Sequence, residues 1–595
     1  MKKLLTILVF AVFLLSTCTV FALTDGRAES AYDLSEYFTN RDLSGDWDAT
    51  KAIYLDLNGQ TEVSITEEGT YVLSGSMQGS VTVNADDSAK VQLVLNGASI
   101  TADGTAAIYV AQADKVFITL ADGTQNTLTS TAFSEGDNID AVIFSKDDIT
   151  LNGSGTLIIV SADNGIVGKD DLKITGGTYV ITAEGRGIDA NDSVRIADGS
   201  FTITAGKDGI RAKNDEDTSK GYVLIAGGSF DITAGGGAEN GETHTEQMMM
   251  GFRGNWSNGQ TSTASSDTAS TKGVKASGNL IILGGSFNID ASDDAFHTDS
   301  DLTVNGGTIT AQSGDDGMHA NNTLTINDGV ITIAQSYEGL EGTAIVLNGG
   351  DIRVTASDDG INSAGGNDQS GFWRNDMFAS DGSCITINGG NIYVNAQGDG
   401  IDSNGDLAVN GGTTVVSGPT NSGNGALDYN GSGVITGGTV IAAGASGMVQ
   451  GFSNGSTQVS ILVSLNGSAG NITVTDATGN TLLSGTVEKN YQCVVISSPD
   501  LAIGQTYTVS GGSASTQVTP SSTVSGGSGM TGGFGGGMRQ GGGKGGWGNQ
   551  QAPDNGQQMP DNGQQIPNDL YVPGSQAPNG QQMPGGFGGH GGKHH

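Results

Sequence analysis

Acidic residues recur in this chain at a fixed distance behind a glycine, and their types and spacing suit cation chemistry. Nine residues beyond a series of reference glycines stand Arg186, Asp208, Asp294, Asp316, Glu338, Asp359 and Asp399, and eight beyond stand Asp293, Asp315 and Asp358. Stacked on neighbouring strands, such side chains would lie about 4.8 Å apart. Like charges that close repel unless water or a cation intervenes. A hard cation with oxygen ligands is the natural bridge, and Ca²⁺ takes about six to eight oxygens. Calcium is therefore the expected cofactor, with Asp293, Asp294, Asp315, Asp316, Asp358, Asp359 and Asp399 as its candidate ligands. Asp-Gly also forms turns in its own right, so the argument rests on the clusters at 293–316 and 358–359 rather than on any single aspartate.

A second polar column follows three residues later: Asp189, Arg211, Lys275, His297, His319, Glu341, Asn362 and Asp402. Each follows an apolar residue, so alternation should turn the polar one outward. A line of mixed polar side chains is either a sugar-binding track or a solvated face, and His297 and His319 would be stacked neighbours within it. Two insertions, 235–273 and 364–383, bring aromatics with an arginine: Phe252, Arg253 and Trp256 in one, and Phe372, Trp373, Arg374 and Phe378 in the other. Exposed rings stack on the apolar faces of sugars at low entropic cost. Trp256, Trp373, Phe252, Phe372, Arg253, Arg374, His297 and His319 are thus the candidate carbohydrate-binding residues. The plain alternative is that the aromatics pin their own loops.

The element that must position these columns is a repeat of about 22 residues, clear in LKITGGTYVITAEGRGIDA (172–190), VRIADGSFTITAGKDGIRA (194–212) and LTVNGGTITAQSGDDGMHA (302–320). The reference glycines are Gly177, Gly199, Gly228, Gly285, Gly307, Gly329, Gly350, Gly390, Gly412 and Gly438, spaced 22, 29, 57, 22, 22, 21, 40, 22 and 26. The pattern resumes in phase after each long spacing, so those are insertions. Two and four residues beyond the glycine come apolar side chains such as Tyr179 and Ile181, Phe201 and Ile203, and Phe287 and Ile289. Alternation with period two predicts strands whose inward side chains stack from coil to coil. No helical period occurs in the repeats, so the expectation is an all-β solenoid, a parallel β-helix.

Composition fits that reading. The 98 glycines among 595 residues suit a fold that turns tightly in every coil, and a formal net charge of −38 excludes a phosphate-binding surface of the nucleic-acid kind. Residues 1–22 read as a signal peptide, with Lys2 and Lys3, an apolar run from Leu4 to Leu15 and a Val20-Phe21-Ala22 cleavage site. Cys18 as a lipoprotein cysteine is the lesser alternative. Export is expected, with no later membrane-spanning stretch. Residues 23–45 read as a loose leader, 46–457 as the β-helix with regular coils from about 149, 458–517 as a small C-terminal β cap, and 518–595 as a disordered Gly/Gln/Pro-rich tail. Cys384 and Cys493 are expected to be lone buried thiols, and the chain a monomer.

The segments SITEEGTYVLSGSM, VQLVLNGASITADGTAAIYV and KVFITLADGTQNTL, the GDDG-type coils and the ending YQCVVISSPDLAIGQTYTVSGG resemble, in that order, the secreted carbohydrate-binding domain-containing proteins of clostridia. The resemblance spans roughly 45–517. It implies a right-handed parallel β-helix similar to calcium-containing polysaccharide lyases, binding cellulose and acidic sugars such as polygalacturonate without catalysis. A lyase alternative would need a lysine base beside the calcium, and Lys275 and Lys213 are the lysines nearest the acidic columns. A structural surface adhesin is the other alternative.

Overall fold

The computed structural model describes residues 33–526 apart from 135, 137, 215, 242–269, 365–379 and 381. The proposed signal peptide, Cys18 and all but the first residues of the proposed tail lie outside the described residues.

Strands of each coil pair in parallel with those of the next, and 42 strands join in one sheet system. Three ladders run side by side. The first contains Thr178–Ala183, Ser200–Ala205, Ser229–Ala234, Ser286–Ala291 and their successors; the second contains Ile188–Ala190, Ile210–Ala212, Val274–Ala276 and Phe296–Thr298; the third contains Ser193–Ile196, Tyr222–Ile225 and Leu280–Ile282. This arrangement fits a β-helix. Register survives the longest insertion, because Phe230 pairs with Phe287 across the 57-residue spacing.

The apolar positions two beyond the glycine face inward. Tyr179, Phe201, Phe230 and Phe287 form one stack, with ring centroids 5.0, 4.8 and 4.7 Å apart and planes within 9° of parallel. Parallel rings at that spacing follow from the coil rise itself.

Parallel coils begin well before residue 149: Gly69–Gln78 already pairs with Lys90–Gly104. Register shifts at Leu73/Gly75 and Ala102/Gly104 blur the period there. The leader is not loose over 33–45. Leu34–Glu36 is a 3₁₀ turn, and Asn40–Leu43 is a single helical turn closed by a capping box between Thr39 and Asp42. Asp42 is fully buried against the coils, bonded to Lys115 Nζ at 2.6 Å, Thr150 Oγ1 at 3.0 Å and Lys173 Nζ at 3.4 Å. It thereby joins three successive coils.

At the other end, Thr439–Gly444 pairs antiparallel with Tyr491–Ser497, which in turn pairs with Ser460–Gly467. A separate antiparallel sheet of Gly470–Thr475, Thr481–Val487, Tyr507–Gly511 and Ala514–Val518 packs its Ile472, Val474, Leu483 and Val509 into one core with Ile441, Ile461 and Val494 of those strands. These strands cover the last edge of the ladder, which would otherwise present unpaired backbone groups. Cys493 is buried and Cys384 is half-buried, and both are thiols. Among the described residues no helix is long and apolar enough to cross a membrane.

Candidate functional site

The first charged column lies where the chain turns from the first ladder into the second, and the second column stands on the strands of the second ladder. Backbone bonds between coils hold them: Gly273 N donates to Asp294 O at 2.9 Å, Gly317 N to Glu338 O at 3.0 Å, Gly339 N to Asp359 O at 3.0 Å and Gly360 N to Asp399 O at 2.9 Å. Ala295 follows Asp294, but the other acids of this column are followed by a glycine that packing requires. A Cβ on Gly360 would lie 2.1 Å from Val394 Cγ1 and 2.7 Å from Gly400 O.

Several acids also tie the coils with one side-chain oxygen. Asp316 N donates to Asp294 Oδ1 at 3.0 Å, Lys272 N to Asp208 Oδ1 at 3.1 Å, Asp399 N to Asp359 Oδ1 and Gly425 N to Asp399 Oδ1. Turn geometry therefore accounts for one oxygen of each of these carboxylates, and the second oxygens of Asp208 and Asp294 are taken by Arg186 and by Lys272 with His297.

The register gives the first column as Asn164, Arg186, Asp208, Lys272, Asp294, Asp316, Glu338, Asp359 and Asp399. Its two halves differ. Toward the N-terminus charges cancel in pairs: Arg186 with Asp208 at 3.2 Å, and Arg211 with Asp189 at 2.7 Å. Lys272, a residue the spacing count overlooked, places its ammonium 2.7 Å from Asp293 and 2.6 Å from Asp294. Burial works to raise the Asp294 carboxyl, but Lys272 and a hydrogen bond from His297 outweigh it and hold Asp294 well below the usual range. Of the residues expected to bind calcium, Asp293 and Asp294 thus already face an internal cation, and Asp315 lies close to both.

From Asp316 onward neither column contains a lysine or arginine. Asp359, Asp399 and Asp402 bring carboxylate oxygens within 4.8 Å of one another. Burial, with Asp399, Asp402, Asp358 and Glu338 nearby, pushes Asp359 well up. Burial also pushes Asp399 up to about 7, against the Gly425 hydrogen bond and with Asp428 and Asp358 adding to the rise. Asn362 sits one coil from Asp402 in the same ladder, 8% exposed, and its Nδ2 donates to Glu338 at 2.8 Å. Its Oδ1 is buried with no hydrogen-bond partner. Oxygen-only donors, crowded carboxylates and an orphaned amide oxygen are what a hard divalent cation requires, so these residues fit calcium.

The second column is not an open track. His297 Nδ1 lies 2.6 Å from Asp294 and its Nε2 lies 3.0 Å from Asp299. His319 Nδ1 lies 2.9 Å from Asp316 and 2.5 Å from Glu341, and its Nε2 lies 2.9 Å from Asn321. The rings stack at 4.7 Å. Both nitrogens of both rings already have protein partners. Burial works to lower His319, but hydrogen bonds to Asp316 and Glu341 push it up to about 12. Lys275 is half-buried next to His297 in the ladder, bonded to Ser270 at 3.3 Å, and burial together with Lys272 pulls its ammonium down. Lys213, the other candidate base, caps a different turn, where its backbone N donates to Ala190.

Trp256, Trp373, Phe252, Phe372, Arg253 and Arg374 lie outside the described residues. The roots of their insertions are described: one leaves before Val274–Ala276 and the other after Ile361–Ser363, so they flank opposite sides of the second ladder.

A family model described as carbohydrate-binding domain-containing protein matches residues 59–317 and 316–451. A carbohydrate-binding domain-containing protein of Acetivibrio thermocellus is 41% identical over 124 residues, which are 20% of this chain and 43% of that protein. The chain thus spans less than half the length of that relative. Among solved structures, a polysaccharide lyase-like protein from C. thermocellum, determined as a gadolinium derivative, is 27% identical, with 51% of this chain and 93% of that chain covered and a TM-score of 0.31.

Proposed function

The chain belongs to the carbohydrate-binding domain-containing protein family, and from that premise we propose that it is an exported polysaccharide-binding protein, stabilised by calcium and without catalysis. The observation that carries the calcium reading is the oxygen-only cluster of Asp359, Asp399 and Asp402 beside the orphaned Asn362 Oδ1. Calcium there would offset carboxylates that burial otherwise forces toward protonation. On this reading the ligand is cellulose or an acidic glycan such as polygalacturonate. A cation shared with a uronate would let so acidic a chain hold an acidic polymer. The right hand of the coil belongs to this proposal and rests on the steric preference of parallel crossovers. The insertions at 235–273 and 364–383, rooted on opposite sides of the second ladder, supply the aromatic contacts.

The test compares binding of polygalacturonate by wild type and Asp399→Asn/Asp402→Asn, each with calcium and with excess EDTA. Binding that is lost with EDTA and in the variant supports the bridge. Unchanged binding in EDTA removes it.

One observation favours a second reading, a calcium-dependent eliminase. The lowered ammonium of Lys275 is what a base for abstracting a proton beside a uronate carboxylate would need. Unsaturated products lost in Lys275→Met would establish it.

A further inference from the structure

Two consecutive coils carry the same short motif: Asp294-Ala-Phe-His297-Thr-Asp299 and Asp316-Gly-Met-His319-Ala-Asn321. In each, the histidine Nδ1 points at the acid three residues before it, and Nε2 points at a side-chain oxygen two residues after it. That outer contact matters. A metal-ligating histidine typically gives its other ring N–H to a carboxylate or carbonyl oxygen, which fixes the tautomer and turns the remaining lone pair on the metal. With Nε2 held by Asp299 Oδ1 and Asn321 Oδ1, both Nδ1 atoms face the buried carboxylates, where an ion would take the place of the ring proton.

On the inner side of the cluster two acids crowd one ring nitrogen. His319 Nδ1 is within reach of both Asp316 Oδ2 and Glu341 Oε2, and one N–H cannot serve two carboxylates well. The Lys272 ammonium is spent on Asp293 and Asp294. Asp294, His297 and His319 hold ligand atoms within 4.8 Å of one another, as do Asp316, His319 and Glu341. The histidines stand in adjacent coils with rings 4.7 Å apart and 18° from parallel, and each Nδ1 meets the acid three residues before it.

We propose that His297 and His319, through Nδ1, together with Asp294, Asp316 and Glu341, form a site for a first-row divalent transition ion of the zinc class, distinct from the oxygen-only cluster at Asp359–Asp402. Imidazole nitrogens with carboxylates select such ions, whereas calcium takes oxygen alone. The ion replaces the inner ring protons and ties three successive coils, those of residues 294–299, 316–321 and 338–342. The proposal does not depend on what glycan the chain binds.

Co²⁺ is the probe. Chelated and desalted full-length chain is titrated with Co²⁺ and followed by visible absorption, alongside His297→Gln/His319→Gln. His244, His590, His594 and His595 are common to both proteins, so the difference isolates the stacked pair. Wild type is expected to take up one more equivalent, with a ligand-field band that zinc abolishes and millimolar calcium leaves intact. Equal stoichiometry and spectra in the two proteins, or a wild-type band removed by calcium, would overturn the site. If the double variant fails to fold, Asp299→Ala serves instead. Asp299 is 43% exposed, so its loss spares the core, and removing its contact to Nε2 should weaken Co²⁺ binding about 10-fold or more. Unchanged affinity in that variant overturns the proposal equally.

Discussion

Replacing Lys272 with methionine keeps most of the aliphatic stem and removes only the ammonium. That group is 2.6 Å from Asp294 Oδ2 and 2.7 Å from Asp293 Oδ1, and the Asp294 side chain is 2% exposed. Water cannot reach Asp294 to replace the lost cation. Breaking a buried pair on one side costs about 3–5 kcal/mol, roughly a 150- to 5,000-fold change in the local folded-to-unfolded ratio. Urea unfolding followed by circular dichroism, with hydrogen exchange at Gly273 and Ala295, measures it where the coils are tied. Asp294→Asn in the same background should recover part of the loss, giving a coupling of about 0.5–3 kcal/mol. The pH dependence has a definite sign. The folded Asp294 carboxyl is held below its unfolded value, so its contribution is present above about pH 4, the unfolded range, and is lost as pH falls toward the folded value. The gap between wild type and Lys272→Met should be level near neutrality and close in acid. A loss under about 1 kcal/mol at neutral pH, set against the 3–5 kcal/mol expected, or a gap unchanged in acid, would refute the reasoning.

Asp399 behaves in the opposite sense. Its folded carboxyl is raised to about 7, so in chelator the thermal midpoint should fall as pH rises from the unfolded carboxylate range through about 7. Calcium, or Asp399→Asn, should flatten that slope. Phe230 lies between Phe201 and Phe287 at 4.8 and 4.7 Å, and Phe230→Ala should cost about 3–5 kcal/mol by urea unfolding.

Much of the coil architecture was legible in the residues because a ladder has no freedom of register once one face is buried. Tyr179, Phe201, Phe230 and Phe287 had to stack if the glycines marked the turns, and they do. Before 149 the coils read as less regular because bulges at Gly75 and Gly104 shift the register. The leader over 33–45 was misjudged because Asp42 is buried through contacts to Lys115, Thr150 and Lys173, far away in sequence. Counting forward from a glycine found the acids but missed Lys272, because an insertion separates it from the preceding glycine; counting back two residues from Val274 finds it. Alternation correctly turned His297 and His319 away from the core, but it carries no information on the acids of the neighbouring column. Those acids bond the ring nitrogens. The orphaned oxygen of Asn362 is a property of packing that no residue pattern announces.

The most direct test of the central claim is retention of the full-length chain on polygalacturonate and on cellulose with calcium present, with the supernatant assayed for unsaturated sugars. The account predicts retention, release by EDTA from the acidic polymer, and no unsaturated product. Product in the supernatant would make the chain a lyase and direct attention to Lys275, and absence of retention on both polymers would contradict polysaccharide binding itself.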